Sequence, residues 1–600
     1  MTAPSPTTTA GARASFTILS NGKAIDTAWQ VESVELSAGV NKIPKARLVL
    51  FDGSPAAEDF PIADSTALIP GVALTVNLGY DDVDATAFTG VIYRQGIDIS
   101  ESGPARLVVE ASGKAMVMTL ARHNAVYAQM TDSDAIAAAI RQSGLTPKVE
   151  GTGGGKTTLV QYDCTDWDFA VMRAQVNGMV VLAEGDTVTV SAPDSAAAPV
   201  LTLTYGQSLL RFQADMDAAT QFAAAAIKSV AWDPATQALA NSGTASASVQ
   251  EPGNISSAEL AKVFNVSAYV QQSAGEIDKT ALTAWSSADL LKNKLAKIRG
   301  RAVFQGSTLA KPGSMVTLAG VGGRYNGNYY VSAVRQTMRD GFWQTEVELG
   351  LPASWFSQTA PDIDAPAAAG QLPAIPHLQT GIVKAVAGDP DGEFRVQVEM
   401  PLLQAGTKGM VWARLASFYA FSGIGGEFYP EVGEEVVLAF MNNDPRYPVI
   451  LGSLWSKKNP PPVTPEDKND QKCVVTRSKL RLDFYEERKA VEISTPGGQS
   501  VLLDDQAKKV TVKDMNGNQM TMAADSVTID SAKKLVLKAG TEMQLSAGTA
   551  LSLKAGTNVD VSGVNIEHKA SAKFAAEGAA QAELKAGGIL TIQGALVKIN

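Results

Sequence analysis

The sequence predicts a mainly β protein: β-barrel domains with a few short helices, then a small closed barrel, then a repetitive needle of short strands. Three observations carry this. The last hundred residues repeat in eights. The region before residue 357 is dominated by short alternating apolar runs separated by turn residues. Residues 377–456 hold about five such runs in a compact stretch, enough for a small closed barrel.

The repeat is clearest from Val527 to Ser562, which reads VTIDSAKK, LVLKAGTE, MQLSAGTA, LSLKAGTN and VDVS. Positions one and three of each eight are apolar: Val527 and Ile529, Leu535 and Leu537, Met543 and Leu545, Leu551 and Leu553, Val559 and Val561. Alternation over three residues gives a short strand with one face to bury. The recurring Ala-Gly-Thr gives a corner, because glycine reaches backbone angles closed to other residues. Strand plus corner at a fixed period is the signature of a β-solenoid. Val510–Val512 and Met520–Met522 extend the pattern upstream, and Ile589–Ile592 and Leu596–Ile599 resume it downstream. Residues 570–586, rich in Ala, Lys and Glu, are read as degenerate octads. After Pro496 there is no proline, and the one aromatic is Phe574, which suits a thin aliphatic interior. Two apolar residues in eight cannot make a core alone, so strands must stack. One chain could coil on itself, or three chains could interleave. About thirteen octads at a strand spacing of ~4.8 Å give a ~60 Å needle in the second case and ~20 Å in the first. Periodicity does not choose.

Six hundred residues imply several domains and ample core. The formal charge of −10, with both signs interspersed, argues against nucleic acid or an anionic membrane as partner. Two distant cysteines, Cys164 and Cys473, suggest no disulfide framework. Three histidines and no Cys-x-x-Cys argue against a zinc site, and no cofactor is expected. The opening MTAPSPTTTAGARAS has no apolar leader core, and no run approaches a membrane span. Synthesis without a secretory signal peptide is therefore expected.

Along the chain, residues 1–14 read as a disordered Pro/Thr-rich tail. Residues 15–356 read as antiparallel β structure, with Val72–Leu78 alternating and Arg47–Phe51 stopping at the Asp52-Gly53 turn. Three helices interrupt it. Asp132-Ser133 caps the first, ending at Gly144; Asp166 caps the second, ending at Asn177-Gly178; the third starts at Ser286-Ser287 and ends at Gly300. Residues 357–376, rich in Pro and Ala, form a linker. Within 377–456, Arg395–Met400 alternates and Glu435–Phe440 is a buried strand. Residues 457–490 form a second linker and the entry to the needle, which occupies 491–600.

Several stretches together carry a family resemblance. Arg395-Val-Gln-Val, Trp412-Ala-Arg-Leu, Pro430-Glu-Val-Gly-Glu-Glu-Val, Asp444-Pro-Arg-Tyr-Pro-Val-Ile-Leu-Gly-Ser and the Lys-Asn-Pro-Pro-Pro tail resemble the OB-fold barrel of spike proteins in contractile injection machines. Asp166-Trp-Asp-Phe, Asn177-Gly178 and Lys311-Pro-Gly-Ser-Met-Val-Thr-Leu-Ala-Gly resemble their hub, and the octads resemble their β-helical needle. The family spans the VgrG spike of type VI secretion, the hub and spike of contractile phage baseplates, and the spike of extracellular phage-tail-like particles. The block from Asn41 to Gly53 is most similar to the last group. The resemblance implies a homotrimer whose intertwined β-helix needle lies on the threefold axis, and so selects interleaved chains. It also implies contact of the hub with inner-tube and baseplate proteins, release or firing of the particle from the cell, and cargo effectors as further partners. The target membrane is met only by puncture. Leu596, Val597, Ile599 and Asn600 are expected to dock a small PAAR-like tip protein.

Single motifs were weighed against plainer readings. Gly151–Thr157 looks like a phosphate loop, but Glu150 stands where that pattern needs glycine, so it reads as an open loop. Ser500 lacks the last glycine of a nucleophile elbow and reads as a strand residue. Asp166 and Asp168 read as a helix cap and a first-turn acid, not paired catalytic acids. Asp389-Pro-Asp-Gly392 reads as a turn, lacking the other ligands of a calcium loop. Phe418, Tyr419, Phe421, Phe428 and Tyr429 lie among Gly and Glu, so they read as contacts between subunits or with the needle base, not as a nucleotide-stacking face. His568 reads as a surface residue over an axial metal ligand. The expected function is a mechanical, non-enzymatic spike. The alternatives are a spike carrying an envelope-degrading activity, which needs an inserted domain, and an adhesin with a β-solenoid stalk, which needs a secretion signal or anchor.

Overall fold

The computed structural model describes residues 3–11, 13–406 and 409–599. The chain divides into two units, Met1–Leu454 and Trp455–Asn600.

The first unit is built on a thirteen-stranded sheet. Its strands alternate because one face must be buried: in Ala73–Tyr80, Leu74, Val76 and Leu78 are buried while Ala73, Thr75 and Asn77 between them are not. The sheet wraps two cores. Leu48, Leu50, Leu74, Val76, Leu107 and Val109 fill the first. Leu203, Ala302, Phe304, Val316, Val331 and Val347 fill the second. The long strand Gly327–Arg339 pairs with Phe342–Leu349 on one side and with Val31–Gly39 on the other, so one ladder joins the two halves. The expected barrels therefore share a single sheet, whose path ends at Leu209–Met216 and at Lys23–Ala24.

Six α-helices accompany the strands among the described residues: α1 Pro6–Thr9, α2 Asp132–Gln142, α3 Asp166–Val176, α4 Ser257–Phe264, α5 Lys279–Ala296 and α6 Phe356–Thr359. Helices α2 and α3 bury Ile136, Ile140, Trp167, Ala170 and Val171 against the strands Val180–Glu184 and Thr187–Ser191. The structure moves the helix starts. The N-caps are Thr131 and Thr165, whose hydroxyls accept from Asp134 N–H and Asp168 N–H, so Asp132 and Asp166 are the first helical residues. Helix α5 starts well before Ser286, where Asp278 caps Thr280 N–H at 2.8 Å and Ala281 N–H at 3.0 Å.

Two stretches of this unit are more ordered than composition suggests. Instead of a disordered tail, the start carries α1, and Thr202 N–H donates to Pro4 O at 2.9 Å. Residues 357–376 are a pinned strap. Arg122 donates to the carbonyls of Asp362 and Asp364, Arg446 donates to Gln371 Oε1, and Ile375 N–H donates to Asn443 O. Ala368 is fully buried. The strap leads to a closed five-strand barrel: Gln379–Ala385, Val396–Glu399, Met410–Leu415, Pro448–Ser453 and Glu435–Phe440. Its core is Val383, Val396, Val398, Ala413, Val436, Leu438 and Ile450. Gly381 is required there, since a Cβ would lie 2.3 Å from Val398 Cγ1.

The second unit begins with a seven-strand antiparallel meander, Gln471–Val475, Arg481–Tyr485, Ala490–Ser494, Ser500–Asp504, Lys509–Lys513, Gln519–Met522 and Val527–Asp530. The stretch expected to be linker up to 490 thus contains two of its strands, and residues 491–530 pair within the chain. The reason lies in the turns, of which 476–480, 495–499 and 514–518 are long enough for the chain to fold back. Asp514 Oδ1 holds the last of these by accepting from Asn516 and Asn518 N–H. From residue 531 onward no strand and no backbone–backbone hydrogen bond occurs among the described residues. The backbone runs extended and bends once every eight residues, at 532–533, 540–541, 548–549 and 556–557. The bends at 571–572, 579–580 and 587–588 continue that period, so residues 570–586 are octads and not helix.

Candidate functional site: the octad row, the small barrel and the helix clasp

Each of the ten apolar octad residues from Val527 to Val561 is about half exposed or more in the single chain, Met543 least at 49% and Leu553 most at 70%. A chain coiled on itself would cover these side chains and pair its own strands; this one does neither beyond Asp530. Leu596, Val597 and Ile599 are likewise exposed, and Asn600 lies outside the described residues. His568 is exposed, 6.3 Å from the Phe574 ring.

On the small barrel, Phe418, Tyr419, Phe421 and Phe428 are exposed around the hairpin Ala420–Phe421 and Ile424–Gly425. Asp389 has no capacity left for a cation. Its carboxylate accepts from Glu393 N–H at 2.9 Å, Arg395 N–H at 3.1 Å and the Arg395 guanidinium at 2.6 Å. The Arg395 side chain is the main reason its carboxyl titrates well below the usual range. The turn reading of this segment therefore stands.

The structure separates the other singled-out residues. Asp166 is fully buried and accepts from Ser143 Oγ at 2.7 Å and Gln161 Nε2 at 2.8 Å, with His123 Nδ1 2.9 Å away. Asp168 stays on the first turn of α3. They are one structural anchor and one helix-terminus acid. Thr152, in the Gly-rich loop, exchanges hydrogen bonds with Ser133, and Gly153, Gly154 and Gly155 face open space. Ser500 opens a strand.

Two buried ionic clusters escaped the sequence. Lys297, 1% exposed, donates to Glu251 Oε2 at 3.0 Å and to the carbonyls of Pro252 and Ile255. Asp289 and Lys292 on α5 lie beside residues 354–355, just before the strap: Lys292 donates to Ser354 O at 2.7 Å and sits 4.3 Å from the Trp355 ring. Burial pushes Asp289 up to about 6, against the pull of Asn293 and Lys292, and pushes Lys292 down to about 8. The folded chain therefore binds the Asp289 proton more tightly than the unfolded chain does. The ionised carboxylate costs stability above pH 6, on the order of 3 kcal/mol, and the cost is relieved as pH falls from 7 through 6 toward 4. Asp289→Asn should remove this dependence. Between pH 7 and 5 the melting temperature of the unsubstituted protein should rise relative to that of the variant; parallel curves would contradict the assignment.

Over part of its length the chain is similar to VgrG-type spikes. Residues 379–455, the closed barrel, match the type VI secretion system/phage-baseplate injector OB domain. Residues 10–340, more than half of the chain, match the Alg8 N-terminal domain, and the chain belongs to that family. The type VI secretion system spike protein VgrG5 of Pseudomonas aeruginosa is 30% identical over 138 residues, 22% of this chain and 16% of that protein. Spike protein VgrG3 of Vibrio cholerae is 29% identical over 143 residues, 22% of this chain and 13% of its own length. The matched stretch thus spans less than a fifth of these curated relatives. A tail protein of Neisseria meningitidis aligns with 58% of this chain and all of its own, at a TM-score of 0.42 and 15% identity. An Escherichia coli component of the type VI secretion system aligns with 73% of this chain and 99% of its own, at 0.37 and 13%. The V. cholerae actin cross-linking toxin VgrG1 is 29% identical over 122 residues, 10% of its length.

Proposed function

We propose that three copies of this chain form the spike of a contractile injection machine, with the first unit as hub and the octads as an interleaved needle. The observation that carries this is the octad row: aliphatic, evenly spaced and uncovered, on a backbone that makes no backbone–backbone hydrogen bond beyond Asp530 among the described residues. Such a backbone needs partners, and copies with the same period supply them. A needle hydrogen-bonded throughout bears axial load, so the work is mechanical: a sheath contracts and drives tube and spike through an envelope. The hub meets inner-tube and baseplate proteins, the chain leaves the cell within the particle, and Leu596, Val597 and Ile599 offer an apolar surface to a small tip protein. Cargo effectors would travel with it.

Electron cryomicroscopy of assembled particles should place three copies on the tube axis, octads pointing outward. Any other copy number, or octads folded back on the hub, would overturn the reading. The purified protein should also leave peptidoglycan intact; turnover abolished by changing one acidic residue would favour the enzymatic alternative.

A further inference from the structure

The meander of residues 471–530 has one strongly apolar face. Val474, Leu482, Ile493, Val501, Val512, Met520 and Ile529 are successive cross-strand neighbours in one row. A parallel row runs from Phe484 through Leu503 to Val527. Within the strands only Lys472 brings a charge to this face. The ion pairs Arg481–Asp483, at 2.6 Å, and Arg488–Asp504 belong to the other. Yet Ile493, Leu503, Val512 and Ile529 are 42–54% exposed, and the first row borders a trough of about 540 Å³.

The octads identify what covers this face. Val527 and Ile529 are at once the last meander strand and the first octad, and Leu535 of the next octad lines the same trough. The apolar row therefore passes unbroken from a segment that pairs within the chain to one that does not. A partner that satisfies the second is already aligned on the first, and the partner with that period is another copy.

The two segments differ in how they fix register. Ala-Gly-Thr recurs at 539–541, 547–549 and 555–557, so a slip of eight residues between chains replaces like with like. The meander strands start at residues 471, 481, 490, 500, 509, 519 and 527, mostly nine or ten apart. Sliding one meander past another by eight residues aligns only the last pair of strand starts, 519 and 527, and misaligns the other strands. We propose that the meander is the register-setting contact of the spike: its apolar face packs against two further copies and fixes the three octad stretches at one level. This rests on the trimeric reading above.

The test uses the full chain with Cys164→Ser and Cys473→Ser, a spin label at Lys538→Cys, and pulsed electron paramagnetic resonance. The background protein should give trimer mass and one sharp inter-label distance. Val512→Asp should dissociate the trimer or spread the distances in steps of ~4.8 Å, while Thr528→Asp, on the opposite face, should change neither. Should Val512→Asp fail to fold, Val512→Thr decides, and it should raise the trimer dissociation constant at least tenfold. A sharp single distance and unchanged mass in both Val512 variants would overturn this inference alone. A monomeric background protein would overturn the proposed function with it.

Discussion

Leu545→Asp should abolish assembly of the three chains or end the ordered needle near residue 545. Leu545 is the third residue of its octad and is 62% exposed in the single chain. In the proposed trimer, three copies of it would converge near the axis. Three carboxylates there would each lose their hydration at low dielectric, at a cost of several kcal/mol apiece, or take up protons well above the usual carboxylate range. The neighbouring outward change Lys538→Ala should stay within about 0.5 kcal/mol. Solution mass and electron microscopy of both variants check this, and equal tolerance at the two positions would contradict the inward assignment.

Trp343→Ala should cost the hub about 3–5 kcal/mol. Trp343 is 5% exposed, lies 5.1 Å from the Tyr80 ring and donates from Nε1 to Gln336 Oε1 at 2.9 Å. The same oxygen accepts from Thr345 Oγ1 at 2.6 Å, so the indole belongs to a buried polar network as well as to the core. Gly306 is shaped to it, since a Cβ there would meet Trp343 Cδ2 at 2.0 Å. Its strand, Phe342–Leu349, pairs with the strand that joins the two halves of the sheet. Trp343→Phe keeps most of the packing and should lose about 1–2 kcal/mol for the missing hydrogen bond. Hub stability can be followed by denaturant titration with hydrogen-exchange readout. A loss below about 1 kcal/mol for the alanine variant would show that the site collapses around the gap.

What the sequence made legible was what repeats or alternates. The alternation in Val72–Leu78 and the strand Glu435–Phe440 were readable because period and burial coincide, and the octads because the bends of the backbone recur with their period of eight. The corners were readable because Ala-Gly-Thr recurs. Helix α4 was missed although Ser256 and Glu259 form a full capping box, each side chain bonded to the other's backbone N–H. Its eight residues were too few to show a periodic face. The start of α5 was misplaced by about two turns because Ser286-Ser287 looks like a cap, although Asp278 is the N-cap and the buried Leu282 already opens the apolar face. The meander was absorbed into the octads because both alternate; only the spacing of nine or ten separates them, and turns such as 495–499 supply the difference. The Asp289–Lys292 and Lys297–Glu251 clusters left no trace at all. Their environment comes from residues such as Trp355 and Pro252, brought beside them by the fold.

The proposed spike contains three copies of this chain. Mass measured in solution at micromolar concentration, by light scattering or native mass spectrometry, tests it most directly. Three chains should remain together on dilution, whereas a stable monomer with residues 531–599 unprotected from hydrogen exchange would contradict the trimeric spike.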